Sequence, residues 1–499
     1  MVSTPQKPIR VRFAPSPTGR THLGSGRTAL YNYLLARQTG GQFILRIEDT
    51  DQKRYTPGAE EELIESLHWL GLVWDEGPDV GGPFGPYRQT ERREIYQKYA
   101  RQLVESGHAY YCFCPATNDP ANPGEKQKHQ HRDICPDREQ SLQNADARRA
   151  AGEFHVIRFR MPYDGNITVT DAIRGNITIE NSNLDDYILL KSDGLPVYHL
   201  AVVIDDHLME ITHAIRTSEW LPTFPLHGHI YQAFGWEQPV WIHPSVFLSP
   251  SGKGKLSKRE SDALEKEGKP VFLGDFEKFG YLPEAVANWA ALIGWSYDDK
   301  TEFFTMDDLI EKFSIEKLNP SPAALNFSKL DHFNGLHIRA LTPKDLATRI
   351  KPFFENAGYS VDDTKLIEVA SVLQIRLKTL ADATEIAGFF FKDEVHPAPE
   401  SLVGKKMTLV ESLEMAKAIY TLIKDLPDFS ESSANQPLRD LATDLGLKAG
   451  DIFGFLRNVL TAQQVSPPIF ETMTIIGREK VLERIQKGIQ ILERMPAEN

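Results

Sequence analysis

Cysteine is scarce, with three residues in a chain of 499. That usage excludes a disulfide framework and fits a reducing, cytoplasmic compartment. No apolar run reaches the length of a bilayer-spanning helix, which excludes a helical membrane protein. The opening MVSTPQKPIRVRF has neither an apolar core nor a small-residue cleavage pattern, so a secretory leader is not expected. A surplus of basic residues is missing as well. The formal net charge of -13 favours solubility and confines any nucleic-acid contact to a local basic face. There is no repeat of fixed period, and a solenoid is excluded.

What is present is a soluble globular composition, 41% hydrophobic and 25% charged, over more length than one core fills. IRVRFA reads as a buried strand and SGRTALYNYLLARQ as a helix with apolar residues at helical spacing. GQFILRIED reads as a second strand, and PGAEEELIESLHWLGL as a helix opened by Pro57. This βαβα order predicts a parallel sheet covered by helices. Another amphipathic helix, TERREIYQKYARQLVESG, follows. From Tyr110 to Arg138 the periodicity gives way to Cys, Pro, His and Lys, and PATNDPANPGEKQKHQHRD reads as a surface loop. FHVIRFRM, NITVTDAIRGNITIEN and DYILLKSDGLPVYHLAVVIDD then read as short strands of an inserted module that returns to the central sheet. Beyond the Gly/Ser/Lys loop SGKGKLSKRESDALEKEGK the signals are helical, most clearly in LPEAVANWAALIGW.

Two stretches carry chemistry. The turn PSPTGRTHLG lacks the Gly-x-Gly-x-x-Gly spacing of a dinucleotide site and the Gly-Lys-Ser/Thr ending of a P-loop. It opens a helix, whose free N–H groups and positive dipole end seat phosphate. There Thr18 and Gly19 make the turn, His22 offers a hydrogen bond to a phosphate oxygen, and Gly24 lets a base or ribose approach the backbone. Alone, the turn equally suits a plain strand–helix connection. The second stretch, KLSKR, sets Lys255, Ser257, Lys258 and Arg259 on a loop.

Together the two resemble the His-Ile-Gly-His and Lys-Met-Ser-Lys-Ser signatures of class I aminoacyl-tRNA synthetases. RFAPSPTGRTHLG, RIEDTDQKR, GPYRQTER, DAIRGNITIEN, LLKSDGLPVYHLAVVIDDHLMEITHAIR and KLSKR resemble, in order, bacterial-type glutamyl-tRNA synthetase. The likeness extends into GYLPEAVANWAALIGWS and VLTAQQVSPPIFETMTIIGREKVLERI, and so covers essentially the whole chain.

The resemblance implies an α/β Rossmann-like catalytic domain (1–108 and 198–250) with an inserted α+β acceptor-end module (109–197). A KLSKR loop and stem-contact helical domain (251–335) and an all-α anticodon-binding region (336–499) follow. It implies ATP with Mg2+, L-glutamate and tRNA(Glu) as ligands, a monomer, and glutamyl-adenylate formation followed by transfer to the terminal ribose. His22, Gly24 and Lys258 would be catalytic. Thr18, His22, Gly24, Glu219, Lys255, Ser257 and Lys258 would hold ATP. Arg12 and Arg216 would meet the glutamate carboxylates and Glu48 its ammonium, with Ser16, Tyr198 and the Ala14 backbone completing the wall. KQKHQHR and RRE would contact RNA phosphates, and Arg376 would read the last anticodon base.

The chain departs from the family's Arg-Gly-Glu-Asp/Glu. It reads RTSEW, with Thr217 and Ser218 in place of the Gly and the first acid, while Arg216 and Glu219 persist. Some members of the family hold zinc with Cys-x-Cys and a later Cys-x-His. Here Cys112, Cys114 and Cys135 are present, Asp137 stands at the His position, and His129 and His131 are spare donors. A structural zinc and a set of plain half-buried cysteines both stay open. So do a second acceptor, tRNA(Gln), a nucleotidyltransferase with another acceptor, and a non-catalytic tRNA-binding paralogue.

Overall fold

Arg10–Phe13 is buried on both faces, as a central parallel strand must be, and pairs in parallel with Gln42–Leu45 on one side and His213–Ile215 on the other. His213–Ile215 pairs in parallel with Val240–Ile242. That strand meets Asn166–Asp171 at Asp171–Trp241, and Gly175–Glu180 closes the edge antiparallel. The result is one six-stranded sheet, with the helix Leu23–Thr39 making the first crossover. The computed structural model describes residues 8–115, 131–254, 256 and 258–496.

Two segments differ from their sequence reading. The hairpin Asn166–Glu180, read as part of the inserted module, is the edge of the central sheet. Its alternate residues Ile167 and Val169 are buried against the helix Phe224–Phe234. The backbones approach so closely at Gly228 that a Cβ there would lie 2.7 Å from Val169 and 2.8 Å from Ile167. The module's own sheet is three antiparallel strands, Ala109–Cys112, Val156–Phe159 and Ile188–Leu190. Second, Tyr198–Leu208 is a helix and not a strand. Leu200 to Ile204 form a continuous buried apolar run, followed by the buried Asp205 and Asp206, and periodicity cannot distinguish helix from strand there.

The chain divides into two compact units, Met1–Phe276 with Val286–Phe327, and Glu277–Ala285 with Ser328–Asn499. The segment 251–335 is therefore shared between them. Among its described residues the second unit is helical throughout. The helices Leu409–Asp425 and Arg478–Arg494 enclose a core that includes Ile419, Leu456, Met473 and Ile485. Thr408 and Glu411 form a capping box at the start of the first of these helices. Among the described residues no helix is long and apolar enough to cross a membrane.

Candidate active site

The turn before Leu23–Thr39 passes through Gly19, whose φ of 143° suits glycine. His22 then caps the helix in extended conformation, its Nδ1 accepting the Gly24 N–H at 3.0 Å. A Cβ at Gly24 would lie 3.4 Å from His22 Nδ1 and 3.8 Å from Phe247, ordinary contact distances, so the protein's own packing does not demand a glycine there.

This helix start borders a cavity of about 870 Å3 at the C-terminal ends of the parallel strands, where open α/β sheets hold ligands. Thr18, His22, Gly24 and Glu219 of the expected nucleotide set line it. So do Arg12, Ala14, Ser16, Glu48, Tyr198 and Arg216 of the expected amino-acid set. Lys255, Ser257 and the Lys258 side chain lie outside the described residues, but Leu256 and Ser261 beside them line the same cavity. Sequence reasoning missed Trp220, which stacks on Tyr198 with ring centroids 4.0 Å apart. The signal was its place directly after Glu219. It also missed Phe247 and Phe272, which no motif marks.

The floor of the cavity is a buried charge network. Asp206 clamps Arg12 with two bonds of 2.9 and 3.1 Å and also pairs with Arg46 at 2.8 Å. Arg46 reaches Glu48 at 3.2 Å, and Arg92 pairs with Asp205 at 2.8 Å. Arg12, expected to meet a substrate carboxylate, thus has a carboxylate partner already. Arg92 of the RRE run is buried in this network and is not available to RNA. Burial pushes the Glu48 carboxyl up to about 7 against the pull of Arg46 and Arg12.

Arg216 differs. It is 5% exposed. Its Nε donates to His243 Nε2 at 2.9 Å, Nη1 to the Tyr198 hydroxyl at 3.1 Å and Nη2 to His227 Nδ1 at 3.0 Å. All three partners are neutral acceptors. Among the described residues Arg216 pairs with no carboxylate, a costly state for a nearly buried cation, and its remaining N–H groups suit a ligand carboxylate.

The cysteines come together with a histidine. The ligand atoms of Cys112, Cys114, His131 and Cys135 lie within 4.8 Å of one another. Cys112 Sγ is 3.3 Å from His131 Nε2, and Cys135 Sγ is 3.6 Å from Cys114 and 3.8 Å from Cys112. A tetrahedral zinc with Zn–S near 2.3 Å needs S–S edges of about 3.8 Å, so the donor set fits. The group that completes this cluster is His131; Asp137, the expected one, reaches only Cys114 Sγ among the sulfurs, at 3.8 Å. Asp137 accepts the Phe113 N–H at 2.6 Å and pairs with Arg148 at 2.7 Å. The helix His131–Ile134, its first two N–H groups bound to Asp185, directs His131 to the sulfurs. His129 and most of the KQKHQHR run lie outside the described residues.

Residues 8–332 match the family model for the catalytic domain of class I tRNA synthetases (E and Q), and residues 345–489 match the model for an anticodon binding domain. A glutamate–tRNA ligase of Dehalococcoides mccartyi is 44% identical over 498 residues, covering 98% of this chain and 99% of that one. The chain belongs to the glutamate–tRNA ligase family. A family member from Chloroflexus aurantiacus is 41% identical, covering 99% of this chain and 100% of that one. Among solved structures, a glutamate tRNA ligase of Elizabethkingia meningosepticum in complex with its amino acid is similar with a TM-score of 0.87. It is 36% identical, covering 97% of this chain and 99% of that one. Within the segment matched to the anticodon binding domain, Arg376 is exposed just after the helix Asp363–Leu373.

Proposed function

We propose that the chain joins L-glutamate to tRNA(Glu) in two steps at this cavity. A glutamate α-carboxylate oxygen attacks the α-phosphorus of ATP and pyrophosphate leaves. A terminal ribose hydroxyl of the tRNA then attacks the mixed anhydride and AMP leaves. The carboxylate is already a nucleophile, so the protein contributes position and charge stabilisation. Arg216 pairs with the glutamate side-chain carboxylate, Glu48 with the ammonium, and Tyr198 and Ser16 fix the remainder. His22 and the N-terminus of Leu23–Thr39 receive the phosphates, with Thr18, Gly24 and Glu219 around the nucleoside. Lys255, Ser257 and Lys258 act on the leaving pyrophosphate. Aminoacyl-tRNA synthetases use ATP with Mg2+, which offsets the triphosphate charge when bound. Cys112, Cys114, His131 and Cys135 hold a structural zinc, four protein donors leaving no open position.

The observation that carries this reading is Arg216, a buried cation with no carboxylate partner among the described residues, in the same cavity as a helix start capped by His22. The test is charging of tRNA(Glu) and tRNA(Gln) side by side with labelled glutamate. Wild type charges tRNA(Glu), Arg216→Ala loses about 100- to 1,000-fold in kcat/KM for glutamate, and Lys258→Ala is slow. Wild-type rates in the Arg216→Ala protein would refute the assignment.

A further inference from the structure

The arginine that the proposed function assigns to the glutamate carboxylate is the end of a chain of buried groups. An arginine only donates hydrogen bonds. His243 Nε2 and His227 Nδ1 must therefore both accept from Arg216, which places the His243 proton on Nδ1 and the His227 proton on Nε2. His243 Nδ1 then donates to Asp171 Oδ2 at 2.6 Å, and His227 Nε2 to His199 Nδ1 at 3.0 Å. One cation sets every proton in the array.

Asp171 is itself fixed. Its Oδ1 accepts the N–H groups of Ile173 and Arg174 at 3.0 and 2.9 Å, at the turn of the edge hairpin. The Arg174 side chain ties that turn to the His243 carbonyl at 2.9 Å. The inserted hairpin thus delivers a carboxylate to the far side of His243 through the Asp171–Trp241 pairing of the sheet. Asp171 is 1% exposed and His243 fully buried. Nothing in the two reaction steps uses either residue.

We propose that Asp171 and His243 are positioning residues that set the plane of Arg216 and leave its charge uncompensated, so that the pocket selects a carboxylate over an amide. An acid in place of His243 would neutralise Arg216 from within, and glutamate and glutamine would then bind alike. A protonated His243 would present a donor to a donor. Burial, with Arg216 next to it, holds the His243 imidazole down at about 4 against the upward pull of Asp171, in line with a neutral acceptor. The inference rests on the glutamate reading of Arg216.

The test compares His243→Asn, His243→Gln and Asp171→Asn with wild type. Asparagine keeps a donor near the Nδ1 position and loses the acceptor for Arg216. Glutamine keeps an acceptor near the Nε2 position and loses the Asp171 contact. Asp171→Asn offers an amide donor to Nδ1 and so permits the wrong tautomer. The expected result is a rise of about 10- to 100-fold in the KM for glutamate for His243→Asn and Asp171→Asn, with kcat and the KM for ATP little changed. The ratio of glutamate to glutamine kcat/KM falls in parallel, and His243→Gln recovers most of both. Unchanged KM and selectivity in a folded His243→Asn protein would overturn the proposal while leaving the function intact. A wild type that did not charge glutamate at all would instead remove the function beneath it. Histidine 15N spectra of the wild type provide a reading independent of variant folding. They should show His243 neutral with its proton on Nδ1, and a proton on Nε2 would overturn the proposal.

Discussion

His22 Nδ1 accepts the Gly24 N–H at 3.0 Å, and that bond decides where the imidazole keeps its proton. A neutral ring with an accepting Nδ1 carries its hydrogen on Nε2, as a donor at the positive end of the helix. One side chain therefore caps the helix and, in the proposed function, serves the phosphates, and the two roles are separable. Asparagine is a good cap but does not extend as far. His22→Asn should keep wild-type stability and lose about 100-fold or more in kcat, whereas His22→Ala should lose the activity and about 1 kcal/mol of stability. Thermal melts beside aminoacylation rates check this, and full activity in His22→Asn would remove the phosphate role.

Glu48 gives a pH dependence of defined sign. Burial raises its carboxyl to about 7, so near neutrality part of the ligand-free protein carries it protonated. An ammonium group binds the ionised form. The KM for glutamate should therefore rise about tenfold per pH unit below 7 and level off above it. At pH 7 glutamate binding should also release protons, measured by calorimetry in two buffers of different ionisation enthalpy. Glu48→Gln should bind glutamate weakly at every pH with a flat profile. A wild-type KM that stayed constant from pH 7.5 to 6 would remove Glu48 from the ammonium site.

The proposed zinc site separates Asp137, which the sequence reading placed in the ligand set, from His131, which it held as a spare donor. His131→Ala should lower the zinc content of the purified protein well below one per chain, and Asp137→Asn should leave it intact. Elemental analysis decides. Zinc lost from Asp137→Asn but kept in His131→Ala would restore the ligand set expected from Cys-x-Asp spacing.

What could be read from sequence, and what could not, follows the range of each interaction. The first strand, the helix Leu23–Thr39 and the convergence of His22, Glu48 and Arg216 on one cavity follow from local pattern and motif order. Tyr198–Leu208 was misread because its middle, Leu200 to Asp206, is buried at every position, which erases the 3.6-residue period. Arg12 gave no hint of its clamp, since Asp206 lies 194 positions away and is brought beside it only by the sheet. Sequence put Asp137 in the ligand set and kept His131 as a spare donor, and the reversal comes from the Arg148 and Asp185 contacts that the fold supplies. The DAIRG turn was visible as a motif, but its tie to Arg216 runs through His243, more than 70 residues further on.

The buried histidines make the catalytic unit acid-sensitive. Burial lowers His199, His229 and His243 to about 4 and His227 well below its ordinary value, with the Arg216 charge adding to the effect at all but His229. In the unfolded chain each takes up a proton as pH falls through about 6.5, while the native side chains stay neutral. Unfolding then binds protons, and each such group removes roughly 1.4 kcal/mol of stability per pH unit below 6.5 until its native value is reached. Glu48 acts with the opposite sign between about 4.5 and 7, since the native state holds its proton there, and offsets one histidine. The net slope is a few kcal/mol per pH unit, large beside a typical domain stability of about 5–15 kcal/mol. Denaturant midpoints for this unit should be flat above pH 7 and fall steeply between 6 and 4.5. His229 bonds to Asn181 Oδ1 at 2.9 Å, outside the Arg216 array, so His229→Gln can remove one titrating group without altering the proposed glutamate pocket. That variant should show a slope shallower by about one proton, and an unchanged slope would mean that His229 is not held neutral in the folded protein.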